Sequence, residues 1–264
     1  MSREAGDINL AEAALLIAAE EYSRLDIAAY LEKLDILGDI ARERASRAID
    51  VHDTIAALNA TLFEQLGFRG NHESYYDPRN SFLNEVINRR IGIPITLTVV
   101  YMEVARRIGL RIEGVGLPGH FIAKHPGENG DIFIDPFSGG RLIGETGCAE
   151  ILSEMSNGKL KLQPSHLAAV TKKQILSRIL GNLLGIYSSN DYRRALNVVE
   201  LLLIIHPDSP NHVRDHGLLL AATGDSPKAI EELQRYLALA QGAPDRDTVR
   251  EQIKTIRQTL ARLN

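Results

Sequence analysis

Apolar residues near the start of the chain recur at the spacing of one helix face. Leu10, Ala14, Leu15, Ala18 and Ala19 follow that period, which predicts a helical region beginning at Asp7. The same pattern runs from about Ile27 to Gln65 as two or three helices and stops at Gly67 and Gly70 in GFRGN. Pro78 pushes Asp77 out of the helical region, so Tyr75-Tyr76-Asp77-Pro78 reads as a loop. Asn80 or Ser81 is then expected to cap a short helix, FLNEVINRR. From Thr96 to Ile108, the residues Leu97, Val100, Tyr101, Val104 and Ile108 share one helical face, and Gly109 supplies the stop.

The pattern then changes. Arg111 to Leu117, Gly119 to His125 and Asp131 to Asp135 read as strands, followed by a turn at Gly139-Gly140. Glu145 to Met155 returns to helix and ends at Asn157-Gly158. Gln163 to Thr171 is the best linker, which divides the chain into domains of residues 1–165 and 166–264. The second domain is helical and repetitive. Asp191-Tyr192-Arg193-Arg194-Ala195 recurs as Asp225-Ser226-Pro227-Lys228-Ala229, an offset of 34 residues with Ala195 and Ala229 aligned. That period marks tetratricopeptide helix pairs, with the helix from Asp247 to Asn264 as a cap.

A hairpin centred on Pro126-Gly127-Glu128-Asn129 sets up pairings that can be tested. One face carries Lys124 opposite Asp131, Ile122 opposite Phe133 and His120 opposite Asp135; the other pairs Ala123 with Ile132 and Phe121 with Ile134. Opposite charges meet and apolar residues meet, as a specified register requires. Directly opposed residues hold their Cβ atoms about 5 Å apart. Asp135 is therefore expected to orient the His120 ring and favour its protonated form. Such a pair is either two parts of a nucleophile–base–orienter triad or a structural polar pair.

Composition narrows the choice. A chain of 264 residues allows one large domain or two modest ones, either with a substantial core. A net charge of -4 offers no basic field to nucleic acid, so none is expected as a partner. The longest apolar run, Ile91 to Met102, is too short for a membrane span. The N-terminus has no cleavage pattern, and a cytoplasmic protein is expected. Cys148 is the one cysteine, which excludes an internal disulfide and a multi-cysteine zinc site. His72, His120, His125 and Asp135 match no familiar ligand spacing, so neither a metal nor another cofactor is expected.

NSFLNEVINRRIGIPITLTVVYMEVARRIGL, PGHF and FIDPF closely resemble the SirB-type bacterial family, in which a transglutaminase-like domain precedes tetratricopeptide repeats. The resemblance covers nearly the whole chain and is most specific from Tyr75 to Gly140. It implies an α+β, papain-like domain with an N-terminal helical region, followed by an all-α repeat region. It also matches His120 and Asp135 to the superfamily's base and orienter, and implies a cysteine at the start of the helix that Gly109 closes. This chain has Gly92-Ile93-Pro94-Ile95-Thr96 there, with Pro94 at the cysteine position. Proline carries no nucleophile and no backbone N–H, and it suits a first helical turn. SirB-type relatives share an apolar motif at this point. The transglutaminase-like domain is therefore expected to be degenerate, a pseudoenzyme.

Two functions follow as expectations. The first is a non-catalytic adaptor whose repeats take a protein or peptide partner, with Asn182, Tyr187 and Asn211 around the groove. The second is an unorthodox hydrolase or acyl transferase, in which His120 acts as base on water or on Thr96. Thr96 near a helix start is also a natural cap, and Cys148 a natural small core residue. His72, Tyr75, Tyr76 and Asp77 form a polar, aromatic loop that is expected to line the cleft beside His120. Arg89-Arg90 and Arg106-Arg107 read as solvated helix faces. Oligomeric state is not legible.

Overall fold

Short polar side chains start the first helices. In the computed structural model, which describes residues 8–128 and 130–263, Asn9 accepts from Glu12 N at 3.3 Å and begins α1 (Leu10–Ala19). Asp7, the expected starting point, lies outside the described residues. Asp26 caps α2 (Ile27–Ala45) and Asp50 caps α3 (Val51–Asn59), each accepting a backbone N–H from the first turn. After α3 the chain passes directly into a π-helix, Ala60–Gln65, where Leu66 N donates to Thr61 O at 3.0 Å.

A short parallel pair follows, β1 (Arg69–Gly70) with β2 (Ile91–Gly92), and α4 (Leu83–Arg89) lies between them in sequence. Phe82, not Asn80 or Ser81, is the N-cap of α4, and it makes no side-chain cap bond. Asn80 is committed elsewhere, to the loop before it. Arg90 ends the helix in the left-handed region at φ 58°.

Helix α5 (Pro94–Arg107) packs against α1, α2 and α4, and against the sheet. It is buried on nearly every side rather than on one face, from Pro94 through Tyr101 and again at Glu103, Val104 and Ala105. Arg107 is not solvated either. Its side chain is 9% exposed and binds Glu103 and Asp35 at 2.7 Å each, which ties α5 to α2. Each fully buried Val or Leu of α5 contributes about 1.5–3 kcal/mol, so this helix anchors the unit.

The sheet is an antiparallel meander of β3 (Glu113–Val115), β4 (Ile122–His125), β5 (Ile132–Asp135) and β6 (Arg141–Ile143). Its register corrects the expected hairpin. Ala123 pairs with Ile134, Lys124 with Phe133 and His125 with Ile132, two residues off the expected pairing. Gly130 N donates to Gly127 O at 3.2 Å, so the connection runs from Pro126 to Asp131; Asn129 within it lies outside the described residues. A slip of two keeps every side chain on its face. Lys124 still reaches Asp131 at 3.0 Å, now along a diagonal.

The helix α6 (Glu145–Met155) covers the sheet, and Cys148 joins Val115, Leu117, Ile122, Phe133 and Ile151 in one apolar cluster. The segment expected as a linker belongs to this first unit. Ala169 bridges to Val115, Val170 N donates to Gly114 O at 2.9 Å, and Lys124 Nζ reaches Leu167 O at 3.3 Å. The compact units divide between Ile179 and Leu180, within α7 (Lys172–Tyr187), and not at residue 165.

The second unit continues with α8 (Tyr192–Ile205), α9 (Pro210–Ala222), α10 (Ser226–Leu239) and α11 (Arg246–Leu263). The repeat is visible in its chemistry. Asp191 accepts from Arg194 N at 3.0 Å and Asp225 from Lys228 N at 3.3 Å, each capping the helix after it. Ala195 and Ala229 are both fully buried. Val213, Leu233, Tyr236, Val249 and Ile253 form the core of this unit. A Cβ on Gly217 would lie 2.8 Å from the Leu233 side chain, so its absence lets α9 and α10 approach closely. Among the described residues no helix is long and apolar enough to cross a membrane.

Candidate functional site

His120 sits in the turn before β4 rather than within the strand, just after Gly119 at φ +78°. A Cβ on Gly119 would lie 2.8 Å from Met155 Cβ, so α6 closes tightly over this turn and fixes where His120 points. Asp135 is the last residue of β5 and caps a single 3-10 turn, Pro136–Ser138. Its carboxylate accepts from Phe137 N at 3.0 Å, Ser138 N at 3.4 Å and Ser138 Oγ at 2.8 Å.

The two side chains meet despite the shifted register. His120 Nε2 lies 3.2 Å from Asp135 Oδ1, with His120 8% and Asp135 2% exposed. The contact is within ion-pair reach but off the line of a well-aligned hydrogen bond. Burial raises the Asp135 pKa, but the His120 ring beside it and the hydrogen bonds from Ser138 outweigh it and hold the carboxyl below its ordinary value. The carboxylate is thus charged, buried and oriented by its own turn.

Phe137 gathers the aromatic loop around this pair. Its ring centroid lies 4.5 Å from His72, 6.0 Å from His120 and 6.3 Å from Tyr75, and Tyr75 meets Tyr76 edge-on at 5.3 Å. Tyr75 and Tyr76 are exposed, at 38% and 78%. Buried Asn80 holds the loop in place. Its Nδ2 donates to Ser74 O at 2.8 Å and Tyr75 O at 3.2 Å, and its Oδ1 accepts from Asn71 Nδ2 at 3.1 Å. Asp77 caps the turn Pro78–Asn80 and pairs with Arg79 at 2.7 Å, and the Arg79 hydrogen bond lowers its pKa.

The start of α5 offers no nucleophile. Pro94 is buried at its first residue. The Thr96 hydroxyl, on a residue 1% exposed, donates to Asn80 O at 2.7 Å and accepts from Ile93 N at 3.2 Å, as a cap does. Cys148 is fully buried, and burial, with the charges of Glu145 and Asp135, pushes its thiol up to about 11. Among the described residues no group of three or more His, Cys, Asp or Glu side chains is placed to hold a metal ion.

A family model for the transglutaminase-like superfamily matches residues 28–181, more than half of the chain. The chain belongs to the transglutaminase-like superfamily. A tetratricopeptide repeat model matches residues 184–254 of this transglutaminase-like protein. A UPF0162 protein of Xylella fastidiosa is 37% identical over 249 residues, covering 91% of this chain and 87% of that one. The SirB-type resemblance therefore holds. F-box only protein 21 of Homo sapiens is 30% identical over 164 residues, covering 58% of this chain and 25% of its own. Among solved structures, menin, whose crystal structure is described as revealing the binding site for Mixed Lineage Leukemia (MLL) protein, aligns at a TM-score of 0.50 and 12% identity. The alignment covers 88% of this chain and 57% of menin, a likeness of fold.

Within the transglutaminase-like domain, sequence reasoning missed Phe137, the loop-holding role of Asn80, and Ser138. The FIDPF motif held the first of these, and a buried Asn following a proline turn was a weaker signal for the second. In the repeats, Asn182 is half-buried and Asn211 exposed. Tyr187 is 6% exposed and lies under the Arg194 guanidinium at 5.6 Å, which makes it a packing residue rather than an open groove contact.

Proposed function

We propose that this protein is a non-catalytic adaptor, a transglutaminase-like frame without its nucleophile joined to repeats that take a protein or peptide partner. The observation that carries the reading is the start of α5. The family resemblance puts the thiol at Pro94, which is the buried first residue of the helix, and the nearby Thr96 hydroxyl is committed to Asn80 O and Ile93 N. His120 and Asp135 survive as a base without a group to activate. Stacked helix pairs supply an extended surface suited to a peptide or helix. Menin, of similar fold, has a binding site for another protein, which agrees with this use.

The test is a panel of amide, ester and transamidation substrates run on the full chain and on His120→Ala. No turnover is expected from either. Binding of an identified partner is expected to weaken on substitution of exposed Asn211 and to survive His120→Ala. Turnover that His120→Ala abolishes with folding intact would overturn the proposal.

A further inference from the structure

Beside the His120–Asp135 pair stands a cation that the adaptor reading leaves unused. Arg178 of α7 is half-buried, its Nη2 donates to Leu117 O at 3.0 Å, and its guanidinium carbon lies 5.5 Å from the centre of the Phe121 ring. The backbone N–H of His120 donates to the same Leu117 oxygen at 3.1 Å. The guanidinium therefore lies against the turn that presents His120. Among the described residues no carboxylate pairs with Arg178, whereas buried Arg107 in the same unit has two. Burial lowers the Arg178 pKa, and the phenol of Tyr75 pulls it back. A guanidinium stays charged regardless, and a partly desolvated one without an anion is an unfavourable arrangement until a ligand supplies it.

We infer that Arg178 and Tyr75 hold a carboxylate beside His120, presented by a peptide that lies along the rings of Tyr75 and Phe137. The planar guanidinium fork matches a carboxylate with two N–H donors, and the Tyr75 hydroxyl adds a third. One unanswered positive charge suits a singly charged anion. A phosphate dianion would bring excess negative charge close to buried Asp135. The exposed rings of Tyr75 and Tyr76 give flanking peptide groups apolar contact. The site lies wholly in the first unit, so the inference goes beyond the adaptor reading and does not rest on it.

The experiment is an NMR titration of the isotope-labelled full chain, observing the arginine Nε–H and histidine ring signals. The probes are N-acetyl-Ala-Ala-Ala with a free C-terminus, its C-terminal amide, N-acetyl-Ala-Glu-Ala amide, and inorganic phosphate. A carboxylate peptide is expected to shift the Arg178 and His120 signals saturably, and the fully amidated peptide is not. Response to the free C-terminus alone identifies a partner's chain end; response to the glutamyl peptide identifies an acidic side chain. Arg178→Gln is expected to weaken binding at least tenfold, since a charge-assisted fork is lost. Tyr75→Phe, which removes only the phenol hydroxyl, is expected to weaken it several-fold without disturbing the fold. Equal response to the amidated peptide, no saturable response to either carboxylate, tighter binding of phosphate, or undiminished affinity in both variants overturns the inference. Partner capture by the repeats is untouched by any of these results, so the two readings fail separately.

Discussion

Replacing Asp135 with Asn tests whether a buried charge organises the site. The carboxylate is 2% exposed and has three close contacts, to Ser138 Oγ at 2.8 Å, Phe137 N at 3.0 Å and His120 Nε2 at 3.2 Å. An amide retains one acceptor oxygen, which serves Phe137 N, but it loses the charge and turns a donor towards Ser138 or His120. Hydrogen bonds to a charged group contribute about 1.5–3 kcal/mol and neutral ones about 0.5–1.5. The Ser138 bond reduced in this way costs about 1–1.5 kcal/mol at pH 7, and loss of the ion-pair contact with His120 adds to it.

The pH dependence has a definite sign. Burial raises the Asp135 pKa, but His120 and Ser138 together hold it below the unfolded value. Its contribution is complete above that unfolded value, near 4, and is lost as pH falls through the folded one. The gap between wild type and Asp135→Asn therefore closes on acidification. Urea-dependent hydrogen–deuterium exchange of peptides covering Ile132 to Ser138 reads this locally, without assuming that both units unfold together. Equal protection at pH 7, or a gap of unchanged size below pH 3, would refute the reasoning.

Three further outcomes follow. Thr96→Val leaves Ile93 N–H and Asn80 O buried without the bonds they now make, and is expected to cost about 1–3 kcal/mol in denaturant titration. Asn80→Ala removes the ties to Ser74 O and Tyr75 O, so amides of the 71–77 loop are expected to exchange faster while those of α5 stay protected. Leu233→Ala, at a fully buried position against Gly217, is expected to cost the second unit about 2–5 kcal/mol, seen as a lower urea midpoint for exchange in α9 and α10.

Much of the architecture was legible because its signals are local. The capping aspartates Asp191 and Asp225, with buried Ala195 and Ala229 four residues on, mark the repeat in sequence and structure alike. The meeting of His120 with Asp135 was also legible, although by the wrong route. Alternation has a period of two, so it cannot distinguish a register from one shifted by two residues, and diagonal neighbours stood in for the expected opposites. Phe137 and Arg178 were hidden for a different reason. Phe137 acts through rings that the chain brings from residues 72, 75 and 120, and Arg178 through a carbonyl at residue 117. No spacing within one element encodes such meetings. The linker was misjudged because a polar, proline-containing segment can still pair with a sheet edge, as Ala169 and Val170 do.

The π turn at Ala60–Gln65 has a consequence for how this chain tolerates length changes. A π turn accommodates one residue more than an α turn, so the extra residue is absorbed with Leu58 and Leu62 both buried and with Asn59 placed to reach Gly140 O at 2.7 Å. Excising one residue there would regularise the helix, yet it would rotate everything beyond it by about 100° relative to Asn59. Phe63, stacked on Tyr101 at 6.1 Å, would swing away from its partner. At this point a shorter, more ideal helix would make a worse protein, and the irregularity works as a phase adjuster between two stretches of chain that must each face the same core.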